Sequence, residues 1–321
     1  MAPVIPIQEA PLPPPPIKKF YLSTPDSIQP TSPHSFPHSI PETSLLLSLS
    51  HPDPSTSPTT AFFLSCLPDP ILFLHYAAAF IYPRLTLGNG GGWRHQLVEL
   101  VLEDKDGLAA TSGGRIGVSL NWVGNIMDDV RKGQKRVEMA VKEFKGVLLH
   151  EMVHTIQHDG QGTTPGWLIE SIADVCRLYA GLDPPHWRKP GQGKKEKGWK
   201  DGYDAGARFL AWLIENDRGI GDGNGVNNGR QEHFIIPPQS SISTFAPPAQ
   251  ATKYPSSSET YQQTFHPVPP TKPRLGPFPD LLRLIDSRLI YEKWNDSWWE
   301  EMTGHKLDKL WPAYLSYYGQ K

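Results

Sequence analysis

Proline limits what this chain can fold into more than any other residue. There are 34 prolines in 321 residues, roughly twice the usual share, and they gather into two stretches. Proline fixes φ and withholds a backbone donor, so neither stretch suits the interior of a helix or sheet. The first, residues 1 to about 60, is also rich in Ser and Thr and shows no sustained apolar period. Such a segment buries too little surface to offset its ordering entropy, and residues 1–60 are expected to be a disordered tail. The second, about 218–277, is full of Gly, Asn, Pro, Ser and Thr. It lies between helical patterns and reads as a low-complexity insertion within one domain, 61–321.

Between these stretches the periodicity is regular, and strands followed by long helices predict an α+β fold. Pro70 to Leu85 reads as a buried helix. Gln96 to Leu102 reads as a strand ending in the turn Asp104-Lys105-Asp106-Gly107, and Arg115 to Trp122 as a second strand. Val137 to about His158 carries apolar residues at helical spacing: Val137, Val141, Phe144, Leu148, Met152 and Ile156. A further helix is expected from Gly166 to Ala180, with Pro165 at its start and Gly181 at its end. Others are expected over Tyr203 to Glu215, Phe278 to Met302 and His305 to Tyr318.

The net charge of −2 leaves no electrostatic footprint for nucleic acid or an anionic membrane. No run approaches the roughly 18 apolar residues that a spanning helix needs. The proline-broken amino terminus lacks the pattern of a secretory signal. The compartment is left open, and a monomer is expected. Two cysteines, Cys66 and Cys176, make no disulfide framework; one bridge or two free thiols would both fit. Pro13 to Pro16 offers a polyproline II ligand to an SH3-like partner, although a solvated tail is the plainer reading.

The chemistry concentrates in His150-Glu151-Met152-Val153-His154. On a helix, positions four apart lie about 40° apart around the axis, so both imidazoles can reach one point. That is what two ligands of one tetrahedral zinc ion require. Glu151 projects beside them, where a carboxylate can take a proton from water. A catalytic zinc uses three protein ligands, and Glu170, on the next helix, is the expected third. Asp174, one turn further on, is placed to hydrogen-bond the distal nitrogen of a ligating histidine. Their neighbours Leu168, Ile169, Ile172 and Val175 argue against a merely solvated acidic pair. His158 extends the same row, but three histidines on a straight helix converge poorly on a tetrahedral ion. Four tryptophans, Trp294, Trp298, Trp299 and Trp311, fit core packing better than a sugar platform.

Several ordered blocks of this sequence resemble the basic secretory protein family, described as plant and bacterial peptidases with fungal members. These are Leu102 to Gly107 with Thr111-Ser112, Gly146 to His154 with Gln157, Gly160-Gln161-Gly162, and Pro165 to Asp174 with Arg177. His186 to Gly193, Gly202 to Leu210 and the tail Thr303 to Trp311 follow. The resemblance implies a zincin-like metallopeptidase fold, with a mixed sheet packed on the helix bearing HExxH and a helical C-terminal part. It also implies Glu170 as ligand and Asp174 behind it, from the ExxxD element of Glu170 to Asp174. The chain departs from the family in having no visible signal peptide, no basic charge and the 218–277 insertion.

The expected activity is hydrolysis of peptide or protein substrates with one Zn²⁺ ion and Glu151 as general base. Tyr203 is a candidate for stabilising the oxyanion, and the strand Ile116 to Asn121 is expected to line the cleft as an edge. The alternative is a catalytically idle zincin-fold protein that binds a protein or glycan in a defence-type role. An intact Glu151 weighs against it.

Overall fold

The computed structural model describes residues 17–23, 45–87, 93–193, 197–201, 203–214 and 275–319. Pro13 to Pro16, the glycine run 88–92 and the insertion as far as residue 274 lie outside them. The expected α+β class holds: one mixed sheet is covered by helices. Five strands, β1 (Ile17–Ser23), β2 (Leu45–His51), β3 (Leu97–Glu103), β4 (Ala109–Ser112) and β5 (Arg115–Ser119), run in the order β1-β2-β3-β5-β4. β2, β3 and β5 are mutually parallel, and the outer strands β1 and β4 are antiparallel to their neighbours.

The first two strands fall in the segment expected to be disordered. Leu45, Leu47 and Leu49 are at most 1% exposed, and Ser48 and Ser50 are buried on the other face. A seven-residue run can hold a central strand when both its edges are paired. Its alternation was hidden by the Pro/Ser/Thr composition around it. Order in the folded unit therefore begins well before residue 61.

A second correction concerns Arg115 to Trp122. The strand stops at Ser119, whose hydroxyl accepts the Trp122 backbone N–H and caps a helix, α3 (Leu120–Arg131). β5 is also an interior strand, paired to β3 on one side and β4 on the other, and Asn121 lies in α3. The edge is the short β4.

α1 (Pro58–Cys66) and α2 (Pro70–Leu85) start with Ser57 and Asp69 as side-chain caps and proline in the first turn. α4 (Val137–Ile156) buries one face in its first half and nearly all of its surface from Gly146 to Ile156, as a helix that runs in between layers must. It packs against α1, α2 and α5 as well as β4 and β5, and its Phe144 ring meets Phe63 and Trp122 at 5.1 and 5.3 Å. α5 (Gly166–Tyr179) and α6 (Tyr203–Ile214) follow. The C-terminal pattern resolves into three helices, α7 (Leu281–Leu289), α8 (Trp298–Thr303) and α9 (Leu307–Tyr317). Trp298, Trp299 and Trp311 are buried core residues, with Trp299 stacked on Trp167 and Trp311 against Phe209. Both cysteines are free and buried. Among the described residues no single helix is long and apolar enough to cross a membrane.

Candidate metal centre

The site lies where α4 and α5 approach each other. One turn before His150, Gly146 sits in that approach. A Cβ there would stand 2.6 Å from the Arg177 Nε and 2.8 Å from the Leu182 carbonyl, so the glycine leaves room for the buried arginine of α5 and for the chain that follows that helix. With the helices this close, Glu170 and Asp174, one turn apart on α5, both reach His150. The His150 Nδ1 lies 2.7 Å from Asp174 Oδ1, and its Nε2 lies 3.0 Å from Glu170 Oε2. His154 Nε2 is 3.1 Å from His150 Nε2 and 3.7 Å from the same Glu170 oxygen. One donor atom from each of His150, His154 and Glu170 lies within 4.8 Å of the others.

The electrostatics favour a cation at this point. Burial, the largest influence on His150, acts to lower its pKa, but hydrogen bonds to Asp174 and Glu170 outweigh it and raise the value to about 10. Burial likewise acts to raise Glu170, yet its bonds to His150 and His154 bring it down to about 2. Without a metal, the carboxylates hold a proton on His150. Two imidazole nitrogens and a carboxylate oxygen are a fitting donor set for zinc. The dry Asp174 carboxylate (2% exposed) on the far ring nitrogen would set the tautomer that leaves Nε2 free to ligate.

Glu151, between the two histidines, is buried, and its Oε2 accepts a hydrogen bond of 2.8 Å from the Thr111 hydroxyl. Thr111 is on β4, so the edge strand of the sheet holds this carboxylate in place. The other oxygen, Oε1, has no hydrogen-bond partner among the described residues.

Tyr203, at the start of α6, is 58% exposed, and its ring stands edge-on to His150 at 6.5 Å between centroids. The nearby Glu170 carboxylate, foremost, and partial burial keep the phenol above its ordinary pKa, so it remains a donor. Two features fix it there. Gly206, one turn on, lies against the Ser171 hydroxyl so tightly that no Cβ would fit, which draws α6 onto α5. Arg188 spans the residues flanking the tyrosine: its Nε donates to Asp204 at 2.9 Å, and its Nη1 pairs with Asp201.

Thr111, Gln157 and Arg188 stand in the sequence only as parts of the family blocks; no local spacing marks a role for them. Gln157, the C-cap of α4, sets its amide nitrogen 3.0 Å from His154 Nδ1 and donates to the Ile169 carbonyl at 3.3 Å. It thereby touches one helix's histidine and the residue before Glu170 on the other. His158 does not join the cluster; its Nδ1 is bonded to Asp286.

A family model described as BSP, peptidase of plants and bacteria, matches residues 45–225. That span starts at the first residue of β2 and includes every residue of the His150 cluster. No curated protein and no solved structure gave a match.

Proposed function

This chain belongs to the family of peptidases of plants and bacteria, and on that premise we propose that it is a zinc-dependent peptidase with a zincin-like fold. The convergence of His150, His154 and Glu170, with the Glu151 carboxylate beside them, carries the reading. The three residues would hold one Zn²⁺ ion, with Asp174 fixing the His150 ring from behind. Bound there, zinc would supply a Lewis acid that acidifies water and polarises a peptide carbonyl.

The remaining work falls to side chains of this chain. Glu151 accepts a proton from the attacking water as its oxygen bonds to the carbonyl carbon. The same proton passes to the amide nitrogen as the C–N bond breaks, so the products are a carboxylic acid and an amine, which settle as carboxylate and ammonium. Thr111 restrains Glu151 through Oε2, while Oε1 has no partner among the described residues. The Tyr203 hydroxyl, kept protonated, can donate to the oxyanion that develops on the carbonyl. β4, with an outer side unpaired among the described residues, offers backbone groups to an extended peptide.

The test is Glu151→Gln, which keeps the shape and removes the base. The variant should retain zinc and lose turnover of a protein substrate by at least about 10²–10⁴-fold. Full turnover in the zinc-loaded variant would sink the mechanism.

A further inference from the structure

The loop joining the two ligand-bearing helices, residues 157–165, is gripped along its length by chain from beyond the family match. Near its start, Asp286 of α7, itself 3% exposed, accepts two hydrogen bonds from His158. The backbone N–H donates to Oδ1 at 2.7 Å, and the ring Nδ1–H donates to Oδ2 at 2.9 Å. In the middle, Gly160 (φ +57) lies so close to the end of α7 that a Cβ would meet Leu289 Cδ2 at 2.7 Å and the Glu292 carbonyl at 3.1 Å. Towards the end, the Thr163 hydroxyl accepts the Trp294 backbone N–H at 2.8 Å. From the other flank Arg94 donates to the Gln157 carbonyl and, at 2.9 Å, to the Asp159 carboxylate.

Gln157 passes this restraint to the site. Its backbone carbonyl is held by Arg94 and the following N–H by Asp286, while its buried side chain bridges His154 and the Ile169 carbonyl. A shift of this loop would displace the His154 ring relative to Glu170. A buried carboxylate is costly unless bonded, and Asp286 obtains two donors only when the loop sits as observed. We propose that segment 281–294 is a clamp that fixes the two ligand helices relative to each other, with Asp286 as its positioning residue. The proposal rests on the zinc reading above and makes the C-terminal helices a working part of the site.

The test is the zinc dissociation constant, from competition with a chromophoric chelator, for the full-length chain and its Asp286→Ala variant, with circular dichroism and melting temperature alongside. The clamp predicts a folded variant that binds zinc about 10-fold more weakly, the lower end of what losing a direct partner of a metal ligand costs, because Asp286 acts through Gln157. A lower melting temperature with unchanged zinc affinity would make Asp286 a packing residue and overturn the clamp alone. A parent chain that binds no zinc would overturn the metal reading and the clamp with it. Should the variant fail to fold, hydrogen exchange on the parent decides. By linkage, zinc should slow exchange of the His158 amide and α7 more than of β2, and uniform slowing would overturn the proposal.

Discussion

Two groups of carboxylates meet around α5 and α6, and they are neutralised in different ways. In one, Asp201 and Asp204 close on Arg188, with Lys197 4.0 Å from Asp201, so both charges are met by permanent cations of the chain. The hydrogen bonds of Arg188 to Asp204, foremost, raise the guanidinium pKa further; burial alone would raise Asp204, but those same bonds hold it below the usual carboxylate range. In the other, Glu170 and Asp174 face two imidazoles, and among the described residues no Lys or Arg bonds to either. Positive charge there must arrive as a proton or as a metal ion. An ion pair complete in itself positions; one completed from solution can work as an exchangeable site.

The difference between the two groups should show most strongly at Asp174. Asp174→Asn removes the charge behind His150 while keeping the shape, and zinc affinity measured by chelator competition should fall about 10- to 100-fold. Equal affinity would mean that the carboxylate does not tune the histidine.

Next in size is a pH effect that the two groups should not share. In zinc-free protein, His150 sits at about 10, above its ordinary 6.5, so its stabilisation is complete below 6.5 and is lost as pH rises through 10. Glu170, at about 2 against an ordinary 4.5, stabilises fully above 4.5 and loses that contribution as pH falls through 2. These are two faces of one ion pair. The arginine cluster keeps its charge throughout the alkaline range. Thermal melts in chelator should therefore show a loss on the alkaline side that His150→Gln abolishes and Arg188→Ala leaves in place.

The smallest expected change in metal binding comes from Arg188→Ala. Its loss frees Asp201 and Asp204 and should cost roughly 1–3 kcal/mol of stability in a denaturant titration. Zinc affinity should stay within about twofold, because no atom of that cluster touches the donor set. A large loss of zinc would merge the two groups into one network.

The sequence made α4 legible because its apolar period runs unbroken for five turns and its histidines recur at the helical interval. Glu170 and Asp174 could be named because charged residues inside an apolar stripe need a partner. The β2 strand was not legible: a short alternation carries little signal inside a proline-rich composition, and only its pairing with β1 and β3 makes it a strand. The helix α3 was missed because Val118 to Trp122 alternates like a strand, and Ser119 turns it into a helix through a cap that spacing does not announce. Thr111, Gln157 and Asp286 act at distances of 40, 3 and 128 residues from their partners. The first and last depend on tertiary contact alone. The short-range Gln157 contact depends on the extended backbone at its cap, which no periodicity encodes.

If the acidic, histidine-bearing group takes its charge as a metal ion, zinc content shows it most directly. Elemental analysis of the purified chain and of His154→Ala, each supplied with zinc and freed of excess, should give about one zinc per parent chain and little in the variant. A parent that holds no zinc after this treatment, or a variant that holds as much as the parent, would contradict the account.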